Sequence, residues 1–468
     1  MKYVTILVFF GTCVAMTVAG CSREQDNSKA VSVPAAHEVA ATTALLATIS
    51  EREKPQHADT AAKHSPNPAA QAQPATFQVV FNSLGKGAAY VAEVDGRVYV
   101  VYNGKAGNTY TAVEHLTISP DGRHVAYGAL KNGKWRMVID GREEAAADSV
   151  GNPRFSPDSK HIVYDARIGE QWHLVVDDRK SAQLPLHYDY YDKFFTDDSL
   201  SIVAIENPLE NNGPVRLVVT DLAFKKRHVK EMKGTNIVYN NDRTKLTMIT
   251  DSNGKKRVVD VSIIKPDAVK EGPLYDAIIH NSYGTDGRSV TYVAERDGKR
   301  YLVMNGKEDP LPDGILRDPP VIRPDLRGAG IIIDIENGGA YLHHTFSGSS
   351  RKGKTYQEAA SLIYNKQTSQ HAYIAKQGKK VSMVVNDTEG PSFDMIVTPM
   401  FSPDGKRLVY RARKNGKRFV VVADANGSVL RRHPEYEQVY EPVFTADGKS
   451  VAYGVKDGRK LMWKVEKL

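Results

Sequence analysis

Cysteine is almost missing from this chain: two occur in 468 residues, Cys13 and Cys21, so a disulfide framework is excluded and the fold must hold through a packed core. No Gly-x-Ser-x-Gly is present, which excludes the nucleophile elbow of an α/β-hydrolase module. A glycine-rich phosphate loop, a dinucleotide fingerprint and a cysteine-based metal site are missing as well. Charge of one sign is not concentrated either. The 63 Lys and Arg exceed the 55 Asp and Glu by only +8, and basic runs such as Lys255-Lys256-Arg257 and Lys379-Lys380 fall in turns rather than on one face, which argues against nucleic acid as a partner. The opening apolar stretch, Tyr3 to Val18, is too short to span a bilayer comfortably.

That stretch, preceded by the single cation Lys2, fits a secretory signal peptide over residues 1–20. It ends in Val18-Ala19-Gly20-Cys21, which resembles the lipobox of bacterial lipoproteins. The resemblance implies cleavage between Gly20 and Cys21 and acylation of Cys21, with several acyl chains holding the new N-terminus on a membrane. Ser22 in the next position resembles the outer-membrane sorting pattern, so the expected location is the envelope, on the outer membrane facing the periplasm in a host with two membranes. Residues 21–76 are rich in Ala, Gln, Pro, Ser and Thr and read as the lipidated cysteine and a disordered tether, within which Ala40 to Ile49 allow a brief helix. The tether's histidines are scattered and imply no metal site.

From residue 77 to 468 the chain repeats. Ile118-Ser119-Pro120-Asp121-Gly122-Arg123-His124-Val125-Ala126-Tyr127 recurs as Phe155 to Tyr164, Phe401 to Tyr410 and Phe444 to Tyr453. A hydroxyl residue, Pro and Asp-Gly form a tight turn between an apolar residue and an apolar strand. A second hairpin signal follows, as in Lys131-Asn132-Gly133-Lys134, and then a third strand such as Trp135 to Ile139. Glu271-Gly272-Pro273-Leu274-Tyr275-Asp276, matched at Glu389 to Asp394, reads as the connection onward. Strand, turn, strand, turn, strand, loop, strand over about forty residues is one four-stranded antiparallel blade. Anchors at Tyr90, Tyr127, Tyr164, Ala204, Met248, Tyr292, Ile332, Tyr373, Tyr410 and Tyr453 give about ten units. An all-β propeller follows, as two propellers or one large ring, with Thr76 to Phe81 available to complete the last blade and join the termini.

The Ser-Pro-Asp-Gly-Lys, apolar, Ala-Tyr repeat resembles the TolB-type β-propeller, a relative of the WD-type propellers, over most of residues 77–468. The resemblance implies the fold and is nearly silent on activity. TolB's N-terminal α/β domain is not visible before the repeats, so its partnership is not implied here.

No catalytic residue, cofactor or metal is expected. A turn aspartate that recurs in every blade serves geometry, whereas a catalytic pair would appear once. Candidate binding residues are Tyr188, Tyr190, Tyr191 and Asp192, where aromatics and a carboxylate gather, and His343 and His344, whose adjacency on a strand points them to opposite faces and away from a shared metal. The least repeat-like stretches, Tyr188 to Phe195, Phe346 to Gln357 and Asn207 to Pro214, are the expected binding loops. The expected function is a non-catalytic binding or scaffold module for an envelope protein, peptide or glycan. The alternative is an envelope enzyme cleaving glycans or peptides with acidic residues converging at the rim. Cys21→Ala is expected to abolish incorporation of labelled palmitate; undiminished incorporation would contradict the lipobox reading.

Overall fold

A computed structural model of the chain describes residues 43–55, 79–82, 84–180, 188–208, 214–240, 242–263, 265–284, 286–316, 318–336, 338–346, 349–445 and 447–468, without the side chains of residues 54, 55, 188–191, 207 and 208. The signal peptide, Cys21 and the larger part of the 21–76 tether lie outside these residues. The described chain forms ten antiparallel sheets and contains no helix long and apolar enough to cross a membrane. Each sheet is one blade, built on a central second strand. In order these strands are Ala88–Val94, Val125–Lys131, Ile162–Ile168, Ser201–Pro208, Lys245–Ser252, Val290–Arg296, Ala329–Asp334, His371–Gln377, Arg407–Lys414 and Ser450–Asp457. All ten sequence anchors fall on them, one per blade.

The second strands do not alternate between core and solvent. In Ala88–Val94, Val125–Lys131 and Ile162–Ile168 the first five residues are all buried, because each blade is covered on both faces by its neighbours. The cores are therefore seams between blades. Ten hydrophobic clusters occur, and each draws on two successive blades: Ala89 and Val100 meet Leu116 and Tyr127 between blades 1 and 2, Val203 and Leu217 meet Leu246 and Val259 between blades 4 and 5, and so on to Val409 and Val420 against Tyr453 and Val455 between blades 9 and 10. The tenth joins Leu461 and Ala47 of blade 10 to Tyr90 and Val101 of blade 1. One ring of ten blades, not two propellers, is the outcome. First strands of successive blades approach one another, as Val321–Ile322 approaches Glu358–Tyr364, so the blades fan outward from a common axis.

Seams share an aromatic device. Tyr110 against Tyr127, Tyr275 against Tyr292, Tyr356 against Tyr373 and Phe393 against Tyr410 stand edge to face, with centroids 5.8–6.2 Å apart. Such pairs each contribute about 0.5–1.5 kcal/mol beyond the area they bury. In two of these pairs the Glu-Gly-Pro-x-[Tyr/Phe]-Asp element delivers the first ring, Tyr275 or Phe393: it runs from a fourth strand, Val269–Glu271 or Thr388–Phe393, into the next blade.

The ring closes differently from the expectation. Val79–Phe81 does not complete blade 10; it pairs with Ala88–Val94 and, with Lys54–Pro55 on the same edge, makes the first strand of blade 1. Blade 10 is completed by Ala44–Thr48, pairing with Lys460–Lys467 in the register Ala44 with Trp463 and Thr48 with Lys460. The segment read as a tether with a brief helix thus contributes a strand, and the propeller begins about thirty residues earlier than residue 77. The physical reason is the open edge of Lys460–Lys467, whose unpaired backbone groups outweigh a weak local preference for helix. Beside the strand, the Ile49 amide donates to the Arg459 carbonyl at 2.8 Å, and the Glu53 carboxylate accepts from Tyr90 and Tyr99 hydroxyls at 2.8 and 3.1 Å.

Ile49 is 4% exposed in this closing seam whereas Leu45 is 58% exposed. Ile49→Ala is expected to lower stability by about 2–5 kcal/mol, and Leu45→Ala by well under ~1 kcal/mol, in chemical denaturation. Equal effects of the two changes would show that the closing strand is not packed as described.

Candidate functional site

The recurring turn aspartates are occupied. In blade 2, the Ser119 hydroxyl donates to Asp121 Oδ1 at 2.6 Å, the Arg123 amide donates to the same oxygen at 3.0 Å, and the His124 amide donates to Ser119 Oγ at 3.0 Å. The pattern returns at Ser156 and Asp158, Thr196 and Asp198, Ser402 and Asp404, and Thr445 and Asp447. The hydroxyl and amide together hold the Asp404 carboxyl below the usual carboxylate range. The turns also link blades: the Asp121 amide donates to Ser159 Oγ at 3.0 Å and the Asp158 amide to Ser199 Oγ at 3.2 Å.

Between the turns of blades 2 and 3 lies a cleft of about 590 Å³ lined by Arg123, His124, Arg142, Phe155, Lys160 and His161. Three carboxylates also line it, Asp121, Asp158 and Asp177, each already accepting a backbone amide. Both imidazoles are tied back by Nδ1, His124 to Asp140 at 2.7 Å and His161 to Asp177 at 2.9 Å. The three long cations instead point outward, with side-chain exposures of 79% for Arg123, 76% for Lys160 and 70% for Arg142. The ion pairs of Arg123 and Lys160 with Asp121 and Asp158 are long and largely exposed, hence individually weak, so a ligand can exchange for them, whereas Arg142 is held at 2.8 Å by the more buried Glu144.

The predicted residues separate. Tyr188, Tyr190, Tyr191 and Asp192 lie on Tyr188–Phe195, the first strand of blade 4 rather than a loop. The three tyrosine side chains are outside the described residues. Asp192 accepts from the Lys193 amide at 2.8 Å and faces the Arg154 guanidinium at 3.5 Å. Phe346 to Gln357 is likewise no loop, since Ser349–Tyr356 is the fourth strand of blade 7. Residues 347, 348 and 209–213 lie outside the described residues.

Sequence reasoning missed Lys193. Its ammonium is buried against the Asp165 carboxylate of blade 3, beside Asp192. Burial, aided by the nearby Arg154 charge, pushes Lys193 down to about 7, and the contact with Asp165 opposes this.

His343 and His344 do point to opposite sides. His343 shares its parity with Tyr341, on the seam with blade 6, and His344 with Leu342, on the seam with blade 8. His344 has company that its neighbour in sequence could not give: its ligating atom and those of His371 and Asp387 lie within 4.8 Å of one another. The two rings stand at 4.5 Å between centroids, and His371 Nε2 is 3.8 Å from Asp387 Oδ1. Burial, then the neighbouring His371, pushes His344 down to about 4, and burial also lowers His371, so both rings are neutral at neutral pH.

No protein-family profile and no curated protein matches the chain. Solved structures that resemble it include a eukaryotic initiation factor (13% identity, 75% of this chain and 96% of that one, TM-score 0.45). TolB from Acinetobacter baumannii is another (11% identity, 68% and 81%, TM-score 0.29). A third is oligogalacturonate lyase from Vibrio parahaemolyticus (12% identity, 76% and 98%, TM-score 0.34). They range from an initiation factor to a lyase, and the likeness concerns the fold alone. By its own sheets and seams the chain is a ten-bladed β-propeller.

Asp165→Asn leaves Lys193 without its carboxylate in the seam of blades 3 and 4, and is expected to lower stability by about 3–5 kcal/mol. The pair Asp165→Leu with Lys193→Met is expected to recover at least half of that loss in the same denaturation measurement. A double variant no more stable than Asp165→Asn would contradict the assignment of the pair.

Proposed function

We propose that this protein is a lipid-anchored component of the bacterial envelope, held on the outer membrane facing the periplasm, whose propeller is a non-catalytic binding module for an acidic ligand. The lipobox residues Val18 to Cys21 support the anchor. The ring supports the binding role because ten packed seams hold its surface turns in fixed positions, which limits the ordering that binding requires. The observation that carries the reading is the cleft between blades 2 and 3. There Arg123, Arg142 and Lys160 present exposed donors, while the adjacent aspartates and histidines are committed to the turns that position them. Arg offers a planar fork suited to carboxylate or phosphate, and Phe155 adds an apolar wall against which a sugar ring or aliphatic chain can lie.

A photo-reactive amino acid placed at Arg142 or Lys160 in growing cells is expected to capture an envelope component, whereas one placed at the hairpin-tip residues Lys255 or Lys379 is expected to capture none. Capture equally from both sets, or from neither, would count against this cleft as the binding surface.

A further inference from the structure

The reciprocal pairing at the end of each third strand gives the repeat a ruler. In five blades an Asn or Asp accepts from the amide that opens the second strand: Asn103 from Ala88, Asp140 from Val125, Asp177 from Ile162, Asn305 from Val290 and Asn386 from His371, at 2.9–3.1 Å. In blade 7 Thr345 Oγ1 takes this place, accepting from the Ala329 amide at 3.2 Å. Three residues break the pattern so defined. His371 stands where sister blades have Ala88, Val125, Ile162 and Val290. His344 precedes Thr345 where sister blades have Tyr102, Ile139, Val176, Met304 and Val385. Asp387 has φ 66° directly after Asn386, where three of the four sister blades have glycine, Gly104, Gly141 and Gly306, at φ 77–84°, and the fourth has Asp178. A non-glycine residue held there is strained by roughly 1 kcal/mol or more. All three departures converge on one seam, between blades 7 and 8.

They also leave three buried polar atoms, His344 Nε2, His371 Nε2 and Asp387 Oδ1, without a hydrogen bond of normal length, the last two facing each other at 3.8 Å. A buried polar group left unpaired carries a penalty of about 1–3 kcal/mol, so three at one point call for a common partner. The surroundings aim them. The Tyr364 hydroxyl lies 3.3 Å from His344 Nδ1, which leaves Nε2 for the cluster, and the Arg351 guanidinium holds Asp387 Oδ2, which leaves Oδ1. Such outer contacts fix the orientation of metal-binding side chains.

We propose that His344, His371 and Asp387 bind a divalent transition-metal ion that bridges blades 7 and 8, with one position left to water or an external donor. Two neutral imidazoles and a carboxylate suit Zn²⁺ and its first-row neighbours. Tetrahedral bonds of about 2.0–2.1 Å place ligand atoms roughly 3.4 Å apart. The 3.8 Å between His371 and Asp387 is already close to that, and all three ligand atoms lie within 4.8 Å of one another. The site is distinct from the cleft of blades 2 and 3 and does not rest on the binding role proposed for it.

The repeat supplies the test. Asp387→Gly and His371→Val restore the residues of sister blades, so each variant is expected to fold with a thermal midpoint at or above that of the parent without metal. Full-length protein purified in detergent is stripped with a chelator, loaded with Zn²⁺ and desalted. The parent is expected to retain one equivalent more than either variant, and its midpoint alone is expected to rise with added Zn²⁺. Comparison of variants removes any contribution from His37, His57 and His64. Retention of equal Zn²⁺ by parent and both variants, including none in all three, would overturn the proposal.

Discussion

Every blade of this protein has two apolar faces to bury, and that constraint governs the rest. A four-stranded sheet whose central strand reads Ala-Ala-Tyr-Val-Ala or Ile-Val-Tyr-Asp-Ala has no face to leave in water. A neighbour on one side covers half the problem and passes the other half on. Only a closed ring ends the sequence of exposed faces, and here closure comes at the tenth seam, where Leu461 and Ala47 meet Tyr90. The size of the ring lies beyond the usual range of about four to eight blades.

Closure in turn explains how the repeated chemistry of the turns is used. The Ser-Pro-Asp-Gly aspartates bond their own turn, and the turns bond the next blade, so residues that resemble catalytic carboxylates in sequence are fixed parts of the frame. Function then belongs to what the frame leaves over. Around the cleft of blades 2 and 3 the left-over groups are exposed cations. At the seam of blades 7 and 8 they are two imidazoles and a carboxylate, the imidazoles where the aligned blades carry non-ionisable or weakly polar side chains and the carboxylate where three of four carry glycine.

Much of the fold was legible in the sequence because it rests on local signals. Tyr127, Tyr164, Tyr410 and Tyr453 each follow a turn with its own hydrogen-bond logic, and even the degenerate anchors Ala204, Met248 and Ile332 fell on the correct strands. What was not legible depends on partners far away in the chain. Ala44–Thr48 has little intrinsic strand character and is a strand because Lys460–Lys467 offers an open edge more than four hundred residues later. Ser349–Tyr356 looks like a loop by composition, being rich in Ser, Lys and Gly, yet completes a blade. His344 drew attention for the wrong neighbour: its partners are not His343 but His371 and Asp387, and only alignment of the blades on Asn386 and its equivalents marks those two as departures. Lys193 carried no sequence signal, since a lysine beside an aspartate on an exposed-looking strand is ordinary until Asp165 is seen to cover it.

Ring closure by the N-terminal strand is the central claim, and the scarcity of cysteine makes it directly measurable. With Cys13 in the signal peptide and Cys21 expected to carry lipid, a pair introduced as Thr48→Cys and Lys460→Cys adds the two thiols free to join. These positions face each other across the closing pair of strands. Under mild oxidation the account predicts an intramolecular disulfide in nearly every molecule, seen as a mobility shift on a non-reducing gel that reductant reverses. A chain that stays linear under the same conditions would contradict it.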